Sequence, residues 1–298
     1  MNRFIPFLAV AVYGLLCFTG SVQAEITIGV LAKNGPGKTL KKWSAHGEYL
    51  TEKMGEDVRI IPLDFDKVAP AVAAGEVDFF LANSSMYITM HIKHGASAVA
   101  TMINSRLDKA LDSFGGVVLT SAYNDNINSF EDLKGKSFAA VKKNSFGGWQ
   151  MAYKEFIDSN IDPFKDFSSV TFVGKHDHVV LAVQNEEFEG GTVRTDTLER
   201  MAANGTIAME DFKVIGPKAG DDFPFLRSTK LYPEWPLAKI QATDPRLAEK
   251  IGAALRALTA DDKAAKTAQI KGWAPPMNYT GVEELQKALS VGAYTKEQ

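Results

Sequence analysis

Two short segments combine hydroxyl residues, glycines and helix starts in a way that suits anion chemistry. Between Val77 and Tyr87 an apolar run stops at Ser84 and Ser85 and then continues as helix-compatible sequence through His91 and Lys93. A strand that breaks at serines where a helix begins presents unpaired backbone N–H groups beside side-chain O–H donors. The device recurs where Ser137–Val141 runs into Lys142-Lys-Asn-Ser145-Phe146-Gly147-Gly148-Trp149. Here Gly147 and Gly148 allow backbone N–H groups to approach a ligand closely. A third segment, Gly191-Thr-Val-Arg194-Thr195-Asp196, reads as a strand-to-helix junction with Arg194 as the best cationic candidate. Arg194 equally suits a structural ion pair, and Asp196 reads first as a helix N-cap and second as an acceptor for a ligand donor.

These segments need elements to hold them. Glu25–Leu31, Val58–Leu63 and Val77–Leu81 read as strands, separated by helices over Thr39–Met54 and Phe65–Ala74, the second closed by Gly75. Leu40, Trp43, His46 and Leu50 fall near one face of the first helix. The alternation predicts an α/β lobe with a mostly parallel sheet. After the bendable run Phe114–Thr120 a second series begins, with strands over Ser137–Val141, Val170–Val173 and Gly191–Val193. Its helices are expected near Gly147–Ser159, Asp177–Asn185 and Thr195–Asn204. A strand at Lys213–Ile215 and a return crossing near Gly216–Phe225 bring the chain back, with helices near Asp244–Leu258 and Gly281–Leu289. The domain division expected is residues 25–118 and 222–298 in lobe I, and 119–221 in lobe II.

Composition limits the function classes. Residues 1–24 read as a secretory signal: Arg3, an apolar core over Phe4–Phe18, and Val22-Gln-Ala24 before the expected cleavage. Removing them from 298 residues leaves 274 and takes the formal charge from −3 to −4. That mild acidity argues against nucleic acid as a partner. The one cysteine, Cys17, lies in the signal, so neither disulfides nor thiolate chemistry is expected in the mature chain. Leu16 disfavours its lipidation. No later stretch is apolar for long enough to span a bilayer.

Several motifs resemble the phosphate/phosphite/phosphonate-type family of periplasmic substrate-binding proteins. They are Gly35-Pro-Gly-Lys-Thr-Leu-Lys-Lys-Trp43, Leu63-Asp-Phe-Asp66, Leu81-Ala-Asn-Ser-Ser-Met-Tyr87, Ser145-Phe-Gly-Gly-Trp-Gln150, Gly191–Glu199 and Leu231-Tyr-Pro-Glu-Trp-Pro236. The branch they resemble most supplies the sensing domains of tetrathionate-type sensor histidine kinases. The resemblance implies a two-lobed type II periplasmic binding fold, each lobe a mixed, mostly parallel sheet flanked by helices, with two hinge crossings. It further implies a small oxyanion between the lobes: phosphonate, phosphite, phosphate or a sulfur oxyanion. By position, it assigns ligand contacts to Ser84, Ser85, Ser145, Phe146, Gly147, Thr195 and Asp196. Tyr87, Trp149, Trp43 and Phe146 are further candidates as aromatic walls, although each equally suits the core. The expected partner is an ABC permease or a membrane sensor histidine kinase, and the protein is expected to be a periplasmic monomer without cofactor.

An enzyme alternative rests on Ala32-Lys-Asn-Gly-Pro-Gly-Lys38-Thr39, which satisfies a relaxed nucleotide-loop pattern and would use Lys38 and Thr39. Rigid Pro36 and an exported location without ATP argue against it. The pairs His176/His178 and His91/His94 lack ligands at metal spacing, and Asp177 reads as a helix cap. Lys142 and Lys143 precede the second serine-bearing segment and Lys33 and Lys38 border the loop after the first strand; any of them would raise local anion concentration, or stand as surface lysines.

Overall fold

The computed structural model describes residues 25–219 and 222–296, so the expected leader, including Cys17, lies outside the described residues. The strands are β1 (Ile26–Leu31), β2 (Val58–Leu63), β3 (Phe79–Leu81), β4 (Ser97–Arg106), β5 (Lys109–Leu111), β6 (Ser113–Phe114) and β7 (Gly116–Ser121). They continue as β8 (Ser137–Ala140), β9 (Ser169–Phe172), β10 (Gly190–Arg194), β11 (Phe212–Ile215), β12 (Tyr232–Pro233), β13 (Pro236–Lys239) and β14 (Ile270–Ala274). The helices are α1 (Pro36–Met54), α2 (Val68–Ala74), α3 (Ser84–His94), α4 (Met151–Asp158), α5 (Pro163–Asp166), α6 (His176–Gln184), α7 (Thr197–Ala203), α8 (Pro245–Ala257), α9 (Lys263–Ala268) and α10 (Thr280–Leu289).

The strands form two principal sheets. The first runs β14-β4-β13-β3-β1-β2, with β5 added to β4, and the second runs β11-β7-β10-β8-β9. Strand and helix alternate where β1 pairs in parallel with β2 and β3, and where β8 pairs in parallel with β9 and β10. The pairings of β4, β13 and β14, and of β7 and β11, are antiparallel. The parallel share is therefore smaller than helix–strand alternation alone suggests. Strands that bring the chain into a sheet from the other sheet enter without a crossover helix, and such strands are free to run antiparallel.

Each sheet is covered on both faces. Neighbouring Phe79 and Phe80 of β3 are fully buried yet belong to different cores, because successive side chains of a strand point to opposite faces. Burying each contributes on the order of 2–3 kcal/mol. Helices α1, α8 and α9 cover one face of the first sheet, while α2, α3 and α10 cover the other. On α1, Trp43, His46 and Leu50 point inward as the spacing requires, but Leu40 turns to solvent. Gly75 ends α2 at φ 70°, a left-handed position that glycine occupies without strain. The two passages between the sheets meet as a small antiparallel ribbon, β6 with β12, and the whole of Gly116–Ser121 runs within the second sheet.

Candidate functional site

A cavity of about 350 Å³ lies between the two sheets. The turn after β1 supplies Lys33, and the first turns of α1 supply Lys38, Thr39, Lys42 and Trp43, with Lys38 and Lys42 one turn apart on the same face. The end of β4 supplies Asn104 and Arg106. From the second sheet come Ser145–Gly147, Lys175–Asp177, Arg194, Asp196 and Arg200. Among these lining residues seven lysines and arginines face two aspartates. The ends of parallel strands converge here, the usual place for a ligand in an open α/β sheet.

The second-lobe turn is built by local bonds. Ser145 N–H donates to Lys142 O at 2.9 Å, and Gln150 N–H donates to Ser145 O at 3.1 Å, so the helix opens with a π turn over Phe146–Gln150. Its glycines serve close packing. A Cβ at Gly147 would stand 2.8 Å from Phe114 Cε2 and 2.9 Å from Arg194 Cβ, and one at Gly148 would stand 2.8 Å from His176 Cε1. Ser145 Oγ has no hydrogen-bond partner within the described residues.

Along the cavity wall runs a buried ionic network. Arg194 Nη2 donates to Glu234 Oε1 at 2.7 Å and its Nε to Asp196 Oδ1 at 3.1 Å, while its guanidinium sits 4.3 Å over the Phe114 ring. Asn104 Nδ2 donates to the same Glu234 oxygen at 2.9 Å, and Arg106 Nε stands 3.6 Å from Asp196 Oδ2. Glu234 is fully buried. Burial alone would raise its pKa, but Arg194 and Arg106 outweigh that and hold it below the usual carboxylate value.

The lysines are less well compensated. Burial, then the charges of Arg106 and Arg194, pushes Lys33 well below the ordinary lysine value. Lys42 is lowered to about 8 by burial first and Arg106 second. Neither ammonium has a carboxylate at salt-bridge distance among the described residues; Lys33 Nζ instead stands 5.2 Å over Trp235 and Lys42 Nζ 5.5 Å over Trp43. His176 lies at the start of α6, where burial and then Lys33 and Arg194 hold it well below its ordinary value. Its Nδ1 accepts Arg194 N–H at 3.2 Å, so the neutral ring carries its proton on Nε2 and presents a donor.

Of the residues singled out from sequence as ligand contacts or walls, Trp43, Ser145, Phe146, Gly147, Arg194 and Asp196 line the cavity, as do Lys33 and Lys38. Ser84, Ser85, Tyr87, Trp149 and Thr195 do not, and each has a structural engagement. Ser84 Oγ donates to Pro233 O at 2.6 Å, and Ser85 Oγ accepts from Gln286 Nε2 at 2.7 Å. Tyr87 OH accepts from Ala98 N–H at 3.2 Å, Thr195 Oγ1 accepts from Gly115 N–H at 3.3 Å, and Trp149 stacks on Tyr153. The cap of α3 is Asn83, whose Oδ1 accepts from Met86 N–H at 3.0 Å. Its Nδ2 donates to Asn144 O at 3.2 Å, linking the two serine-bearing turns.

Two expected caps are replaced by ion pairs. Asp196 stands at the start of α7 but its carboxylate caps nothing, because both oxygens face arginines. Asp177 lies inside the first turn of α6 and pairs with Arg200. In the nucleotide-loop-like segment, α1 begins at Pro36 and Thr39 Oγ1 donates back to Gly35 O at 3.0 Å. His91 Nδ1 lies 2.7 Å from Ala96 O, and no cluster of metal-ligating groups occurs among the described residues.

Sequence reasoning did not single out Lys42, Asn104, Arg106, Arg200 or Glu234. For Lys42 the i, i+4 spacing from Lys38 was a usable signal, and for Glu234 its setting between Pro233 and Trp235. Asn104 and Arg106 had none, since β4 itself was not read as a strand.

Residues 28–280 match the family described as ABC transporter, phosphonate, periplasmic substrate-binding protein. The chain is 30% identical over 247 residues to the tetrathionate sensor histidine kinase TtrS of Salmonella typhimurium, covering 82% of this chain and 41% of that protein. The chain thus spans about two fifths of the length of that relative. Among solved structures, XAC2383 from Xanthomonas citri bound to ATP matches with a TM-score of 0.71 at 14% identity, covering 89% of this chain and 97% of the other. PhnD1 from Prochlorococcus marinus in complex with methylphosphonate matches with a TM-score of 0.68 at 15% identity, covering 89% and 98%. At these identities the structural matches establish the type II periplasmic binding fold. The sequence match over most of the chain makes it a member of the phosphonate-type periplasmic substrate-binding protein family of ABC transporters.

Proposed function

We propose that the protein is a periplasmic solute-binding protein that captures a small phosphorus or sulfur oxyanion in the cavity between its lobes. One observation carries this reading: seven cationic side chains face two carboxylates, and among the described residues neither Lys33 nor Lys42 has a carboxylate at salt-bridge distance. Burial first, and then the neighbouring cations, depresses the ionisation of these lysines, and a bound anion offsets that penalty. Each charge-assisted hydrogen bond to such an anion contributes about 1.5–3 kcal/mol. A handful of them, less the cost of association, supports about micromolar affinity.

Binding is proposed to start on one lobe and to finish by hinge closure, which adds the donors of the other. The closed form then reports the ligand to a partner that prefers it, and only that preference carries information. The family description supports an ABC permease as the partner, whereas the likeness to TtrS supports a sensor kinase and a sulfur oxyanion such as tetrathionate.

Thermal unfolding against a panel of phosphate, phosphite, methylphosphonate, sulfate, thiosulfate and tetrathionate, with ATP as control, tests the reading. A ligand at about 100 times its dissociation constant adds about 2.7 kcal/mol of stability. A rise in melting temperature with an oxyanion, lost in a Lys33→Gln/Lys42→Gln variant, supports it. A rise with ATP alone, or with nothing, refutes it.

A further inference from the structure

Asp196 is held in a conformation that its fold position does not require. Its backbone is left-handed, with φ 70° and ψ −9°, a region that few residues other than glycine, asparagine and aspartate adopt. At the start of α7 its carboxylate would ordinarily cap the helix, yet it makes no capping bond. It stands instead between Arg194 Nε of the second sheet at 3.1 Å and Arg106 Nε of the first at 3.6 Å, and is almost fully buried.

Of the other carboxylates near the cavity, Asp177 stays on the second sheet's side, while Glu234, just before β13 of the first sheet, reaches Arg194 of the second. Asp177 pairs with Arg200, and Glu234 is shared between Arg194 and Asn104. Asp196 alone among them contacts arginines from both sheets. Bringing Lys33, Lys42 and Arg106 towards Arg194 and Arg200 sets like charges against each other, and Asp196 offsets part of that repulsion.

We propose that Asp196 is a specificity-determining residue, a built-in counter-ion that sets the cavity's preference between singly and doubly charged oxyanions. The inference rests on the oxyanion reading above. Two anions of equal shape make similar contacts, so their affinities differ mainly by the cavity's potential acting on the extra charge. A fixed carboxylate lowers that potential; removing it favours the dianion more than the monoanion.

Sulfate and perchlorate are suitable probes, being tetrahedral, similar in size and fixed in charge near neutrality. Their dissociation constants are measured by calorimetric titration or displacement at pH 7 and constant ionic strength. In Asp196→Asn, which keeps the shape and tolerates the left-handed backbone, the perchlorate-to-sulfate ratio of dissociation constants rises about fivefold or more. In Arg106→Gln, which removes a cation instead, the same ratio falls by a similar factor. If Asp196→Asn fails to fold, Asp196→Gly, which removes the same carboxylate and accepts the left-handed backbone, carries the test. A merely structural role for Asp196 lowers both affinities in proportion and leaves the ratio unchanged, which overturns the proposal while the oxyanion reading stands. Failure of the parent protein to bind any oxyanion removes both.

Discussion

The two serine-bearing turns look alike in sequence and are used differently. At Ser84-Ser85 both hydroxyls are turned into the structure, one joining α3 to the carbonyl of Pro233 and the other accepting from Gln286 of α10. At Ser145-Phe146-Gly147 the hydroxyl has no hydrogen-bond partner among the described residues and the turn lines the cavity. The difference comes from what packs opposite. The first turn is enclosed by β12 and α10, elements from far along the chain, whereas the second faces the space between the sheets. A hydroxyl at a helix start is thus a donor whose target is fixed by distant residues.

The largest way to break this contrast is at the second turn's support. Arg194→Gln leaves fully buried Glu234 without its cationic partner, and a stability loss of about 3–5 kcal/mol is expected in denaturant titration. Gly147→Ala forces a methyl against Phe114 and Arg194, so about 1–3 kcal/mol of stability should be lost. Anion affinity should fall with it. Ser84→Ala should cost about 1–2 kcal/mol by stranding the Pro233 carbonyl while leaving affinity within about twofold. Ser145→Ala should do the reverse, changing stability by less than about 0.5 kcal/mol and lowering affinity severalfold. Equal behaviour of the two serine variants in paired unfolding and binding assays would erase the distinction.

The smallest effect is a pair of opposed pH slopes. Lys42 falls from 10.5 to about 8 in the folded protein, so above about pH 8 and up to 10.5 the unfolded chain holds more protons. Stability of the ligand-free protein should therefore gain a rising contribution with pH across that window, the penalty being fully present below it. Anion affinity should decline over the same window, by up to about tenfold per unit, because binding then requires proton uptake. Parallel slopes in pH-resolved unfolding and titration would contradict the assignment of Lys42 to the cavity wall.

Much of the fold was legible because periodicity and punctuation act locally. The strands at Ile26–Leu31 and Val58–Leu63 and the helix ending at Gly75 lie where their patterns put them. The first sheet's β4, β5, β13 and β14 were not read as strands, and the costliest of these was β4, whose run Ser97–Arg106 mixes small, polar and apolar residues because it is covered unevenly along its length. Missing β4 hid Asn104 and Arg106, and with them half of the ionic network. Asp196 misled for a different reason: aspartate before a helix is ordinarily a cap, but two arginines, one of them ninety residues away in sequence, compete for its oxygens. Long-range charge pairing leaves no local pattern.

Lysines without a nearby carboxylate make this cavity an anion site. Calorimetric titration of the parent and of Lys33→Gln/Lys42→Gln with the best oxyanion of the panel tests it most directly. The variant should lose about 100-fold or more in affinity, two charge-assisted bonds being removed, while its ligand-free form is at least as stable as the parent. An unchanged affinity would contradict it.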